Sequence, residues 1–161
     1  MTQNIFEAAT LIPQSGRMKL LDRVIKPSQK ELQAETAVTE TWPLAESGAV
    51  SALLCIELVA QAISALSTWR RGEGARPRVG LLVGIKEAEF FTLNLPLGTG
   101  LTIHVEELYH VGNYAVFKGQ VISGSALFCT TILQVMEPEG DDFPDFLRLQ
   151  GAHPEEKERR D

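Results

Sequence analysis

Residues Ser47–Gly72 read SGAVSALLCIELVAQAISALSTWRRG, and this stretch decides how the rest of the chain can fold. It has no Gly or Pro between Ala49 and Arg71, and Gly72 follows a basic last turn, as at many helix ends. Ser47 is a suitable N-cap residue, since its hydroxyl can accept a hydrogen bond from a free N–H of the first turn. The sequence therefore predicts one long helix that begins after Ser47 and ends at Gly72.

The predicted helix is apolar around most of its circumference and carries one narrow polar stripe. At about 100° per residue, four polar side chains fall within about 60° of one another. They are Glu57, Gln61, Ser64 and Thr68. A membrane span is disfavoured, because Glu57 would lie near the middle of an apolar run that is barely long enough to cross a bilayer. Other parts of the chain must therefore wrap this helix.

Glu57 has two interpretations. A carboxylate inside so apolar a helix must be desolvated, paired or protonated, and each condition is typical of functional sites. The alternative is a structural ion pair or an exposed polar stripe, and the residues alone leave both open. Gln61 lies one turn further along the same face, where its amide is better suited to orienting a neighbour or bonding backbone than to chemistry.

Composition narrows the classes of function. A chain of 161 residues with 44% apolar residues predicts a single globular domain, and a net charge of −6 disfavours a nucleic-acid partner. Three His and two Cys without a close pair predict no metal site, and we expect no cofactor. We expect Cys55 and Cys129 to be reduced packing residues. The N-terminus has no basic-then-apolar order, so we expect a cytoplasmic protein with no membrane association.

Strand patterns flank the predicted helix on both sides. Val24-Ile25 and Glu31–Glu40 predict a first antiparallel pair. After the helix, Val79–Phe91 predicts an apolar strand. Three further strands follow, because Gly112-Asn113 and Gly124-Ser125 are signals for two-residue hairpins.

This order predicts an α+β fold in which an antiparallel curved sheet wraps around one long central helix, the arrangement called a hotdog. One helix cannot cover both faces of a sheet, so the other face or an edge is available to a second subunit. We expect a single hotdog domain over residues 1–137. Residues 138–161 are acidic and contain Pro, which predicts a polar, partly disordered C-terminal tail.

Three motifs carry a family resemblance. Leu11-Ile12-Pro13 leads into Met18–Val24 (MKLLDRV), Ile56–Ala62 (IELVAQA) lies in the predicted helix, and Gly80–Gly84 (GLLVG) opens the next strand. Together they resemble the hotdog-fold 3-hydroxyacyl-acyl-carrier-protein dehydratases, and most of all their ApeP-like branch. The likeness extends from about residue 10 to residue 136, nearly the whole of the predicted domain.

The resemblance implies a reaction, partners and site residues. Family members remove water from 3-hydroxyacyl thioesters in fatty-acid or polyketide-type biosynthesis. The partners would be acyl-carrier protein or a CoA thioester, together with a second identical or related hotdog subunit. Carried over by position, Glu57 is the catalytic carboxylate. Gly48 and Ala49 would supply backbone donors at the helix N-terminus to an enolate-like charge. From its place on the same helix face as Glu57, we also take Gln61 as a substrate-binding residue.

The catalytic histidine implied by the resemblance falls at Gln14, which cannot accept a proton. We expect His104, His110 and His153 to be solvated and not to replace it. Three functions remain open. In the first, the chain is a dehydratase in which Glu57 is the acid and the base is altered or supplied by a partner subunit. Alternatively, it is a silent hotdog subunit that binds acyl chains or completes a heterodimer, or, less favoured, a thioesterase in which Glu57 activates water.

Four arginines gather at the end of the predicted helix and in the loop after it. They are Arg70, Arg71, Arg76 and Arg78. Such a cluster attracts an acidic carrier protein or a cofactor phosphate. Its ordinary interpretation, which we prefer, is that positive side chains complement the helix dipole and keep a loop soluble.

Overall fold

The structure, a computed structural model, describes residues 4–138, and within them ten strands and one α-helix. The elements in chain order are β1 (Ile5–Glu7), β2 (Arg23–Ile25), β3 (Glu31–Ala37), β4 (Ala45–Glu46), β5 (Ala49–Ser51), α1 (Leu54–Arg70), β6 (Leu81–Phe90), β7 (Asn94–Pro96), β8 (Gly100–Val111), β9 (Tyr114–Ser123) and β10 (Ala126–Met136). Apart from Pro138, the predicted tail lies outside the described residues.

Seven strands form one antiparallel sheet in the order β1-β2-β3-β8-β9-β10-β6, and β4, β5 and β7 form a small second sheet. The predicted pair of β2 with β3 is confirmed, as is the meander of β8, β9 and β10. Gly112 has φ 59°, which is the left-handed conformation that the predicted hairpin turn requires. The predicted α+β hotdog architecture is therefore confirmed.

The large sheet packs directly on the long helix. α1 contacts β3, β8, β9 and β10, and its buried side chains join those of the strands in one core. The two layers approach most closely at Gly119 of β9, where an added Cβ would overlap the methyl groups of Val59. Cys55 of α1 and Cys129 of β10 are free and fully buried, which confirms that they are packing residues.

The predicted start of the helix is wrong. α1 begins at Leu54, whereas Ser47 (φ 52°) and Gly48 (φ 81°) form a turn with positive φ between β4 and β5. Backbone bonding to β7 explains the difference, since the Gly48 carbonyl accepts a hydrogen bond from Leu97 N–H at 3.2 Å. An apolar segment with that alternative partner need not continue a helix. No helix among residues 4–138 is long and apolar enough to cross a membrane.

Candidate functional site

Glu57 lies in the first turn of α1 and is held by Gln61. Its Oε1 accepts a hydrogen bond from Gln61 Nε2 at 2.9 Å. The same amide nitrogen donates to the Met18 carbonyl, and Gln61 Oε1 accepts from Leu20 N–H at 3.0 Å. Gln61 is 0% exposed. With both ends of its amide engaged and no exposed surface, it orients Glu57, and the structure favours this role over direct substrate binding.

A cavity of about 150 Å³ opens beside Glu57, and we call it the Glu57 cavity. Its wall combines residues before β2, one face of α1, the segment entering β6, and the end of β10. The lining residues are Pro13, Gln14, Glu57, Ala60, Ile63, Ser64, Ser67, Arg78, Val79, Gly80, Leu81, Leu82, Val135 and Glu137. Glu57 and Gln14, the two catalytic positions implied by the resemblance, therefore line one cavity within a single chain.

Two buried polar atoms of this wall have no hydrogen-bond partner within residues 4–138. They are Gln14 Oε1 and Ser64 Oγ. A buried polar atom that stays unpaired costs free energy, and such atoms are typical of places where a ligand completes the bonding. Ser64 was not singled out as a site residue from the sequence, although its position on the polar stripe, about two turns after Glu57, was the signal for it.

Local packing explains why Gln14 reaches α1. Leu11 and Ile12 are buried in the core just before it, and Leu20 and Leu21 are buried just after it. The hydrogen bonds of Gln61 to Met18 and Leu20 fasten the second anchor to the helix. The intervening segment is therefore held at both ends, and Gln14 lies at the cavity wall.

Gly48 and Ala49 do not occupy the place expected of them. Their proposed role required the helix N-terminus, but they lie in the turn and strand that pair with β7. The helix N-terminus is instead at Leu53 and Leu54. The expectation failed because it depended on the predicted N-cap at Ser47.

The histidines are separate from the Glu57 cavity. His104 lies on the outer face of β8, with Nε2 3.4 Å from Glu31 Oε2, as predicted from its alternation with buried residues. His110 is exposed near the β8–β9 turn, and His153 lies outside the described residues. No cluster of three or more potential metal ligands occurs in the described part of the chain.

A second cavity of about 320 Å³ adjoins the first, and we call it the arginine cavity. It lies between the C-terminal end of α1 and the β8–β9 hairpin, and Arg70, Arg71, Arg78 and His110 contribute to its wall. The two cavities share four lining residues, namely Ser67, Arg78, Val135 and Glu137. Together they follow one side of α1 from its first turn to its last.

Strand β6 forms an edge of the large sheet. Within the described chain it pairs only with β10, so its other side is open. Leu82, Val83 and Ile85 are exposed on this strand at 44%, 50% and 48%. Exposed apolar residues on an edge strand offer another chain a surface for strand pairing.

Comparisons with known proteins agree with this geometry. The model of the ApeP-like family, described as ApeP dehydratase, matches residues 6–148. A search of curated proteins finds no significant match.

Several solved structures share the fold. A chain of the dehydratase heterocomplex ApeI:P from Xenorhabdus doucetiae superposes with a TM-score of 0.78 at 22% identity, covering 91% of this chain and 99% of that chain. A hypothetical thioesterase with coenzyme A from Streptococcus pneumoniae gives 0.56 at 17% identity, covering 70% and 82%. A thioesterase-like phenylacetic acid degradation-related protein from Ralstonia eutropha gives 0.52 at 15% identity, covering 66% and 76%. At these identities the likenesses establish the hotdog fold alone.

Proposed function

The chain belongs to the ApeP-like family of dehydratases, and from this premise we propose that it takes part in dehydrating 3-hydroxyacyl thioesters carried on acyl-carrier protein. The observation that carries the proposal is the Glu57 cavity. A half-buried carboxylate, fixed by a fully buried Gln61, faces a space whose wall also holds polar atoms of Gln14 and Ser64 that have no partner in the described part of the chain. Such a site is preformed to bind a ligand that has a polar group on an apolar acyl chain.

The reaction needs one acid and one base. A proton leaves the carbon next to the thioester carbonyl, the hydroxyl group on the following carbon leaves as water, and a double bond forms between the two carbons. We assign to Glu57 the protonation of the leaving hydroxyl. Gln14 cannot take the carbon-bound proton, but its amide can hydrogen-bond the hydroxyl or the thioester carbonyl. The base is then altered or comes from a partner subunit.

A second hotdog subunit paired along β6 would lie beside the cavity, where it could supply such a base. The Glu57 cavity is lined by Val79 and Gly80, just before β6, and by Leu81 and Leu82, at its start, and these residues lead into the open apolar edge. A chain that pairs along β6 would therefore cover the cavity mouth. The similar chain from Xenorhabdus doucetiae belongs to a dehydratase heterocomplex, which supports a related but different subunit as this partner.

A second candidate function rests on Gln14. If no base reaches the cavity, the chain is a catalytically silent subunit that binds acyl chains or completes a heterodimer. The cavity, the β6 edge and the orienting role of Gln61 are all compatible with this alternative.

The test is to incubate the purified protein, alone and with a co-expressed hotdog partner, with a 3-hydroxyacyl-carrier-protein thioester. Enoyl product and free carrier thiol are both followed. We expect enoyl product in at least one of the two samples, and its loss in Glu57→Gln. The exposed Glu40→Gln is the matched control and should behave like the wild type. Enoyl formation that survives Glu57→Gln contradicts the role of Glu57, and free thiol without enoyl product indicates a thioesterase.

Gln14→His separates the two candidate functions further. If Gln14 occupies the position of the missing base, a folded Gln14→His variant should create or increase dehydration. No gain in a folded variant would mean that an imidazole at this position cannot reach the substrate. Absence of product in every sample, with binding of the acyl chain retained, would favour the silent subunit.

A further inference from the structure

The arginine cavity has features of an anion site that the reaction at Glu57 does not use. We propose that it binds the phosphate group at the far end of the pantetheine arm that carries the acyl thioester. This inference rests on the proposed function for the identity of the arm, whereas the anion site itself follows from the contacts below.

Arg70 is the central group of the site. Its Nη1 forms an ion pair with Glu107 Oε2 at 2.7 Å, and its guanidinium lies over the Phe117 ring at 5.9 Å from the centroid. Both charged side chains are largely buried, with 24% and 14% exposed. Nε and Nη2 of Arg70 are buried and have no partner within residues 4–138. A guanidinium with two nitrogens that have no partner among the described residues is suited to a second, oxygen-rich anion, because Glu107 occupies only one of its nitrogens.

The neighbouring charges strengthen this preference for an anion. Arg71 and Arg78 line the same cavity, together with the carboxylates of Glu107 and Glu137. Burial lowers the pKa of the Arg71 guanidinium, the nearby positive charge of Arg78 lowers it further, and Glu137 opposes this effect. Three guanidinium groups face two carboxylates, so the cavity keeps an excess positive charge in a chain whose net charge is −6.

The distance between Glu57 and Arg70 fits the length of a pantetheine arm. Glu57 and Arg70 are thirteen residues apart on one helix, which corresponds to about 20 Å along the helix axis. The shared wall residues place the two cavities side by side along α1. A phosphate held by Arg70 would therefore leave the remainder of the arm free to run along α1 toward Glu57.

The charged loop offers a matched control. Arg76 belongs to the same segment as Arg78 but does not line the cavity, and its contact with Arg71 is made by its backbone carbonyl, at 2.7 Å from Arg71 Nη1. Replacement of the Arg76 side chain therefore removes one positive charge nearby and leaves the proposed site intact.

The experiment compares the binding of 4′-phosphopantetheine and pantetheine, which differ only in the phosphate, by calorimetric titration of the full-length protein. We expect the phosphate to tighten binding about tenfold, which is the value of one hydrogen bond to a charged group. The double variant Arg71→Gln/Arg78→Gln leaves Arg70 as the one arginine of the described chain facing Glu107 and Glu137, so the cavity loses its excess positive charge and should lose most of this difference. Arg76→Gln should keep it. Raising the salt concentration on the wild type should shrink the difference as well, which provides a test without substitution.

Equal binding of the two compounds overturns the proposal. It is also overturned if the difference in affinity persists in a folded double variant. A further contrary result is that the double variant binds carrier protein lacking the arm more weakly, while its affinity for 4′-phosphopantetheine is unchanged. In the last case the arginines recognise the surface of the carrier. No turnover is involved, so failure of the dehydration assay and failure of this titration are separate results.

Discussion

Replacing Gln61 by Met tests whether this buried amide holds the candidate site together. Met has a similar length and no strong hydrogen-bonding group, so the main change is the loss of the bonds to Leu20 N–H, the Met18 carbonyl and Glu57. The Leu20 N–H is left unpaired in the core, at a cost of about 1–3 kcal/mol, and the partly buried Met18 carbonyl adds about 1 kcal/mol. We expect the free energy of unfolding to fall by about 2–4 kcal/mol.

A loss of this size is measurable by urea denaturation at a constant m-value. In a chain of this length it corresponds to a fall in melting temperature of roughly 4–16 °C. The control is Gln120→Met, at a half-buried position on β9. We expect Gln120→Met to change the free energy of unfolding by less than about 0.5 kcal/mol. If the change in Gln61→Met is equally small, the assigned hydrogen bonds do not anchor the segment before β2.

Two further predictions concern packing and assembly. Gly119→Ala places a methyl group against Val59 and should lower the free energy of unfolding by about 1–3 kcal/mol in denaturant melts, whereas Gly100→Ala, which meets open space, should have little effect. Val83→Lys places a charge on the open β6 edge, so it should weaken subunit association measured by sedimentation velocity. Val111→Lys, at an exposed valine outside β6, should leave the association unchanged. An unchanged dimer fraction in Val83→Lys would place the interface elsewhere.

The strands were predictable because their signals are local. The alternation of apolar residues predicted which face of β8 is buried. Gly112 and Gly124 indicated turns that need a positive φ, which glycine adopts more easily than other residues. The start of the helix was not predictable in this way. Ala49–Ser51 is as apolar as a helix turn, and its conformation is set by pairing with β7, which lies more than forty residues later in the chain. Long-range pairing of this kind leaves no local pattern.

The candidate site was predictable in its residue types and less so in its partners. Glu57 stood out because it interrupts an apolar helix, and the structure shows the amide that holds it. The approach of Gln14 to the same helix depends on how the segment before β2 is anchored, which periodicity does not report. Ser64 lay on the recognised stripe, but its lack of a partner among residues 4–138 appears only once the surrounding packing is known.

The state of the Glu57 cavity bears on whether the chain is silent. A subunit kept only for assembly would need the β6 edge. It would gain nothing from the buried atoms of Gln14 and Ser64 that lack a partner among residues 4–138, because each such atom costs free energy. A fully buried Gln61 held to both Glu57 and the backbone is likewise an arrangement for orientation. These features favour a site that binds a ligand over a subunit kept only for assembly, and if the site dehydrates its ligand, the base is altered or comes from a partner subunit. The decisive observation is whether adding the partner subunit restores dehydration to the protein with Gln14 unchanged.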